Sequence, residues 1–270
     1  MRSLLALSLF FISGIAVYAG VVDTVSVHSV VMMKDIKNVV IFPDSYEKSS
    51  RDYPVLYLLH GAGGNYAQWI KSVPELKELV DQYQMIIVCP DGGVTSWYFN
   101  SPIDKTMQYE TYVAYELVSY MSNSYRILKD KSKHAITGLS MGGHGAFYLA
   151  FKHQDVWGAA GSMSGGVDIR PFPNSWDINK RLGSFAENKE SWEKNTVLNM
   201  VYLLDKNAPK LIFDCGTSDF FFRQNQALHT KLLERNIPHD YIERPGSHNW
   251  AYWKNSIQYQ LLFFDKIFRN

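Results

Sequence analysis

The sequence has 270 residues, 46% of them hydrophobic and 20% charged, with 27 Lys and Arg against 26 Asp and Glu. That supplies enough apolar material for a sizeable core, and far too little charge bias for a disordered chain, a nucleic-acid binder or a protein drawn to anionic membranes. No Cys/His cluster with zinc spacing occurs, so the expectation is one α/β domain, residues 20–270, with no metal and no nucleic-acid partner.

The first stretch, MRSLLALSLFFISGIAVYAG, places Arg2 before an apolar run from Leu4 to Val17, with small-residue positions Val17 and Ala19 ahead of Gly20. It reads as a secretory signal peptide, residues 1–19, because the run is shorter than the roughly 20 residues of a membrane span. A secreted or periplasmic protein with no stable membrane insertion after cleavage is therefore expected. Thr24 to Phe42 then alternates polar and apolar residues, which predicts an antiparallel hairpin at a sheet edge.

The later runs differ. PVLYLLHG, MIIVCPDGG, HAITGLS, GAAGSMSGG and KLIFDCGTSD are short and apolar on both faces, as strands of a parallel sheet covered on both sides should be. Between them, Leu76, Leu79, Val80 and Tyr83 recur at helical spacing, and Trp250, Trp253, Ile257, Leu261 and Phe264 keep a similar stripe near the end. The alternation predicts an α/β fold with a mostly parallel central sheet, helices on both faces and an antiparallel N-terminal hairpin. Cys89 and Cys215 end two different apolar runs and read as buried free thiols. Residues 168–209, with RPFPNSWD and then a polar stretch around Trp192, break the rhythm; they read as an excursion over the sheet's upper edge, either a lid or an irregular connection.

Gly138-Leu139-Ser140-Met141-Gly142 matches the G-x-S-x-G elbow, in which a strand turns sharply into a helix and projects a serine hydroxyl at the sheet's edge. A serine alcohol is a poor nucleophile at neutral pH, so it needs a general base, and the base needs a partner that fixes its tautomer. His134 and His144 flank the elbow on its strand and helix and read as structural. His248, in the loop ERPGSHNWAYW between a strand and the final helix, is the expected base. The expected acid is Asp219, beyond the glycine of DCGTSD, while Asp214 still lies inside the strand and could brace the loop. A tetrahedral intermediate also needs donors: the Met141 amide next to the serine, and the Ala62 amide in the turn LLHGAGGN. That turn lacks both the P-loop ending and the dinucleotide spacing. The loop DGGVTSWYFNSP reaches the same edge, and Trp97 and Tyr98 in it are the candidate substrate-binding residues.

Taken in order, LLHGAGGN, SWYFNSP, GLSMGGHGA, DCGTSD and GSHNWAYW resemble the esterase D-like putative esterase family of the α/β-hydrolase superfamily, over roughly Pro54 to Phe268. That family includes S-formylglutathione hydrolases, tributyrin esterases, feruloyl and acetyl xylan esterases, and mycolyltransferases. The resemblance implies the α/β-hydrolase fold with Ser140 as nucleophile, Asp219 as acid, His248 as base, and the Met141 and Ala62 amides as oxyanion donors. It also implies no cofactor and an ester substrate, either a small molecule or one linked to polysaccharide. The leading expectation is a secreted serine esterase for short acyl or hydroxycinnamoyl esters. An acyltransferase, a formylglutathione hydrolase-like thioesterase and a carbohydrate-binding protein on the same scaffold are the alternatives. Oligomeric state is not legible.

Overall fold

The computed structural model describes residues 20–270, and the expected signal peptide lies outside them. The strands are β1 (Val21–Ser29), β2 (Lys34–Phe42), β3 (Val55–Leu59), β4 (Ile86–Pro90), β5 (His134–Gly138), β6 (Ala159–Met163), β7 (Lys210–Gly216) and β8 (His239–Arg244). They form an eight-stranded sheet in the order β1-β2-β4-β3-β5-β6-β7-β8. β1 pairs antiparallel with β2, and β2 with β4; every later pairing is parallel. This is the expected mostly parallel sheet with an antiparallel hairpin at its edge.

Strand sequences explain why both faces are covered. In β3, Val55, Tyr57 and Leu59 point into one core while Leu56 and Leu58 point into the other, so alternation sends apolar side chains both ways. One core takes the helix Met141–Lys152 with Phe147, Leu149 and Phe151; the other takes Leu76 and Val80 of Leu76–Tyr83, together with Ile257, Leu261 and Phe264 of Trp250–Arg269. Cys89 on β4 and Cys215 on β7 are free and buried, on strands that are not neighbours, and burial pushes both thiols up.

The chain leaves β3 for β4 on one side and then returns to place β5 on the other. That reversal opens a crevice beyond the carboxyl ends of β3 and β5, the general place for a ligand in an open α/β sheet. The turn with Ala62 follows β3, and Ser140 follows β5. The excursion, residues 168–209, is more regular than an open connection. It carries the short helices Ile178–Leu182, Lys189–Lys194 and Val197–Met200, and it buries Trp192 completely. Among the described residues, no helix is long and apolar enough to cross a membrane.

Candidate active site

Ser140 stands between β5 and the helix Met141–Lys152, with φ at 55° and ψ at −117°. A residue bearing a Cβ pays on the order of 1–3 kcal/mol in such a region, and it persists only where its surroundings over-determine it. Here the Ser140 amide donates to the Met163 carbonyl at 2.9 Å, and the Gly166 amide donates to the Ser140 carbonyl at 3.3 Å. Glycine is required on both sides of the bend. A Cβ on Gly138 would lie 2.6 Å from the Gly142 carbonyl oxygen, and one on Gly142 would lie 2.6 Å from the carbonyl oxygens of Leu59 and His60.

Asp219 and His248, the expected acid and base, arrive on adjacent loops after β7 and β8. Thr217 donates its amide to the Arg244 carbonyl and Ser218 to that of Gly246, both at 2.9 Å, so the two loops are tied together. Behind them the buried Asp214 accepts from Ser256 at 2.5 Å and Gln260 at 3.0 Å, and it forms an ion pair with Arg244 at 3.1 Å. Asp214 therefore fastens the last helix to the sheet, and Asp219 is the carboxylate at the crevice.

His248 Nδ1 lies 2.8 Å from Asp219 Oδ2, and His248 Nε2 lies 2.8 Å from Ser140 Oγ. The Asp219 side chain is fully buried, and its other oxygen accepts the Phe221 amide at 2.8 Å. An ionised carboxylate only accepts, so the Nδ1 proton belongs between His248 and Asp219, leaving the Nε2 lone pair for the serine hydroxyl. Phe220, Trp253 and Phe221 enclose the imidazole, with ring centroids 4.3, 4.9 and 5.5 Å away.

The turn after β3 abuts Ser140: a Cβ on Gly61 would come 3.4 Å from that of Ser140. Within this turn Gly63 donates to the Val94 carbonyl at 2.8 Å and Gly64 to that of Gly61 at 3.0 Å, whereas no acceptor is paired with the Ala62 amide among the described residues. Met141 opens its helix, so its amide has no partner in the preceding turn. Two free N–H groups thus flank the serine. His60, buried beneath them, fixes the turn by pairing Nδ1 with the Gly61 carbonyl at 2.8 Å and accepting the Gly92 amide on Nε2 at 2.8 Å.

A cavity of about 360 Å³ opens onto Ser140 and His248, walled by Ala62, Gln68, Trp176, Phe220, Trp250 and Trp253. Trp97 and Tyr98, expected to contact substrate, are not among these walls. Both are almost fully buried: the Tyr98 hydroxyl donates to the His60 carbonyl at 3.0 Å, and the Trp97 indole donates to the Trp176 carbonyl at 3.2 Å. Left-handed backbone at both residues turns their side chains inward, which an apolar loop sequence does not announce. The aromatic walls instead come largely from next to Asp219 and His248. Phe220 follows Asp219 and Trp250 follows His248 by two, a proximity that sequence could have flagged, while Trp176 comes from the excursion. Gln68, also unforeseen, faces the cavity with a buried side-chain oxygen that has no partner among the described residues.

A larger cavity, about 810 Å³, lies at the far end of the helix Met141–Lys152 and is lined by none of Ser140, Asp219 and His248. Glu110 on its wall is fully engaged. Burial would raise its carboxyl, but His153, Lys152 and Tyr148 outweigh that and hold it down at about 2, a locked anion rather than an acid–base group.

His134 and His144 are structural, as expected. His134 pairs with the Leu128 carbonyl and His144 with that of Gly166 at 3.0 Å. Burial pushes His144 down to about 4, and burial also lowers His60 and His134. Each binds its proton less readily in the folded than in the unfolded chain, so below about pH 6.5 the unfolded chain binds more protons and stability drops as pH falls. His144 alone accounts for on the order of 3 kcal/mol, lost between about pH 6.5 and 4. The urea midpoint is expected to fall steadily across that window, less so in His144→Asn; a level midpoint would contradict the buried-neutral assignment.

Known proteins place this geometry in context. The chain is 29% identical over 235 residues to Esterase Rv1288 of Mycobacterium tuberculosis, a match that covers 77% of this chain and 51% of that one. It therefore spans about half the length of that relative. It is 25% identical over 236 residues to an acetyl esterase of Caldicellulosiruptor saccharolyticus, covering 81% of this chain and 85% of the other. A solved structure titled ferulic acid esterase superposes with a TM-score of 0.79 at 29% identity, over 93% of this chain and 99% of its own. The strand order and these neighbours make the fold that of the α/β-hydrolase esterases. The model of the family described as "Putative esterase" matches residues 29–264, and the chain belongs to that family.

Proposed function

We propose that this protein is a serine carboxylic ester hydrolase that works through an acyl-enzyme on Ser140. The observation that carries the reading is the unbroken chain from Asp219 Oδ2 to His248 Nδ1 and from His248 Nε2 to Ser140 Oγ, each step 2.8 Å. Ser140 Oγ attacks the ester carbonyl carbon while His248 Nε2 takes its proton; the carbonyl π-pair moves onto oxygen, which the Ala62 and Met141 amides receive. Collapse expels the alcohol, to which His248 returns the proton. Water then attacks the acyl carbon, losing a proton to His248, and as the acyl carbon–Oγ bond breaks His248 gives that proton to Ser140 Oγ, which releases the acid and restores the serine hydroxyl. Asp219 stays ionised throughout and stabilises the imidazolium.

The reading extends to acyl groups of modest size, acetyl to hydroxycinnamoyl, because a cavity of about 360 Å³ lies at the small end of ligand sites and is faced largely by aromatic rings. The names of the acetyl esterase and ferulic acid esterase relatives support the same range. Release to the cell exterior belongs to the proposal and rests on the N-terminal sequence, and an ester linked to polysaccharide is the substrate the proposal extends to from the acetyl and hydroxycinnamoyl range. Purified residues 20–270 are expected to hydrolyse methyl acetate, methyl butyrate and methyl ferulate to free acid. Consumption of ester only when an acceptor alcohol or sugar is supplied would turn the reading to acyl transfer, and no turnover of any ester would end it.

A further inference from the structure

Two loops face each other beside the cavity, and each holds consecutive side-chain-bearing residues in the left-handed region. Trp97 and Tyr98 have φ of 56° and 60°, and Trp176 and Asp177 have φ of 49° and 56°. For a tryptophan this backbone is costly and marks a position that its surroundings enforce. The enforcing contacts run between the loops. Trp97 Nε1 donates to the Trp176 carbonyl at 3.2 Å, and the Thr95 hydroxyl donates to Asp177 Oδ2 at 3.2 Å.

Trp97 is in turn built into the nucleophile's support. Its ring sits edge-on to His144, 5.3 Å away on the helix that follows Ser140. It also presses on Gly166, where a Cβ would come 2.8 Å from the indole, and the Gly166 amide is the donor to the Ser140 carbonyl. On the cavity side, the Trp176 ring stacks on Phe220 at 5.7 Å with planes 19° apart, and Phe220 lies 4.3 Å from the His248 ring. The indole N–H of a buried residue thus connects the elbow to the aromatic wall beside the base.

We propose that Trp97 is a positioning residue for aromatic recognition: by holding Trp176 in its left-handed backbone, it makes Trp176 and Phe220 a fixed wall for a planar ring on the ester. The ring belongs to the acyl or the alcohol half, and the proposal rests on the ester-hydrolase reading above. Without the indole donor, residue 176 loses the hydrogen bond that opposes its relaxation to negative φ, and the Trp176 ring leaves its stack. One net hydrogen bond corresponds to about tenfold in binding.

Trp97→Phe in the described chain keeps a buried ring and removes the donor. The kcat/KM values for methyl ferulate and phenyl acetate are each compared with that for methyl acetate. At least one ring-to-acetate ratio is expected to fall about tenfold, through KM rather than kcat. A fall with ferulate alone puts the ring on the acyl side, and with phenyl acetate alone on the alcohol side. Trp176→Ala should give the same loss, and the double variant no further one. Two unchanged ratios overturn the proposal, and so does an equal fall on all three esters, which lost packing alone would produce. Titration calorimetry of ferulate and of phenol against Ser140→Ala, with and without Trp97→Phe, reads the wall without turnover. A wild-type chain that cleaves nothing, yet loses ring affinity about tenfold on Trp97→Phe, defeats the hydrolase reading and leaves the wall standing. One that neither cleaves nor binds overturns both.

Discussion

Ser140→Ala is expected to lower kcat on methyl butyrate by on the order of 10⁵–10⁶, with KM and the unfolding transition nearly unchanged. The substitution removes one oxygen and keeps the Cβ, so the backbone at φ 55° carries no more strain than before, and the hydrogen bond that the residue-140 amide donates to the Met163 carbonyl remains. Lost are the nucleophile and the proton that His248 would take. The Ala62 and Met141 amides are untouched, so a residual acceleration over water of about 10³–10⁴ should remain from the oxyanion donors and binding alone. Activity within tenfold of the parent would mean that another group attacks the ester.

Asp219→Asn is expected to cost about 10⁴ in kcat with little loss of stability, and the reason is directional. One Asp219 oxygen accepts the Phe221 amide and the other faces His248 Nδ1. An asparagine must keep its oxygen at the Phe221 amide, which aims its NH₂ at Nδ1. The imidazole then has to accept there and carry its proton on Nε2, the atom 2.8 Å from Ser140 Oγ. A protonated Nε2 cannot take the serine proton, so the geometry survives while the chemistry stops. Steady-state kinetics on methyl butyrate checks this, and a loss below about tenfold would show that Asp219 does not set the tautomer.

Much of this site was legible in the sequence for local reasons. Ser140 announced itself because the elbow needs Gly138 and Gly142 at fixed offsets, and the backbone carbonyls that a Cβ at either position would strike explain the requirement. Asp219 was legible because it follows the apolar run of β7 by a short glycine-bearing turn, and His248 because it lies in a Gly-Ser loop between β8 and the final helix, so strand order brought both to the edge where Ser140 lies. The strands themselves were legible because apolar residues on both faces, as in Val55–Leu59, suit a doubly covered sheet.

The cavity walls were not legible, and the physical reason is tertiary. Trp97 and Trp176 are the same residue type and both sit in loops, yet one is buried support and the other is wall. What separates them is a left-handed backbone at each and a hydrogen bond between residues 79 positions apart. Burial of Tyr98 against His60 has the same character: it depends on how the loop after β4 folds back over the turn after β3.

The central claim is that Ser140 is the group that becomes acylated. A fluorophosphonate ester reports on it, because fluoride leaves as an activated serine oxygen bonds to phosphorus, and the adduct resists water. After treatment and tryptic digestion, mass spectrometry is expected to find one phosphonyl group on the peptide HAITGLSMGGHGAFYLAFK, located at Ser140, and none on the Ser140→Ala chain. An unlabelled Ser140 in a chain that hydrolyses esters, or a label on another residue, would contradict the account.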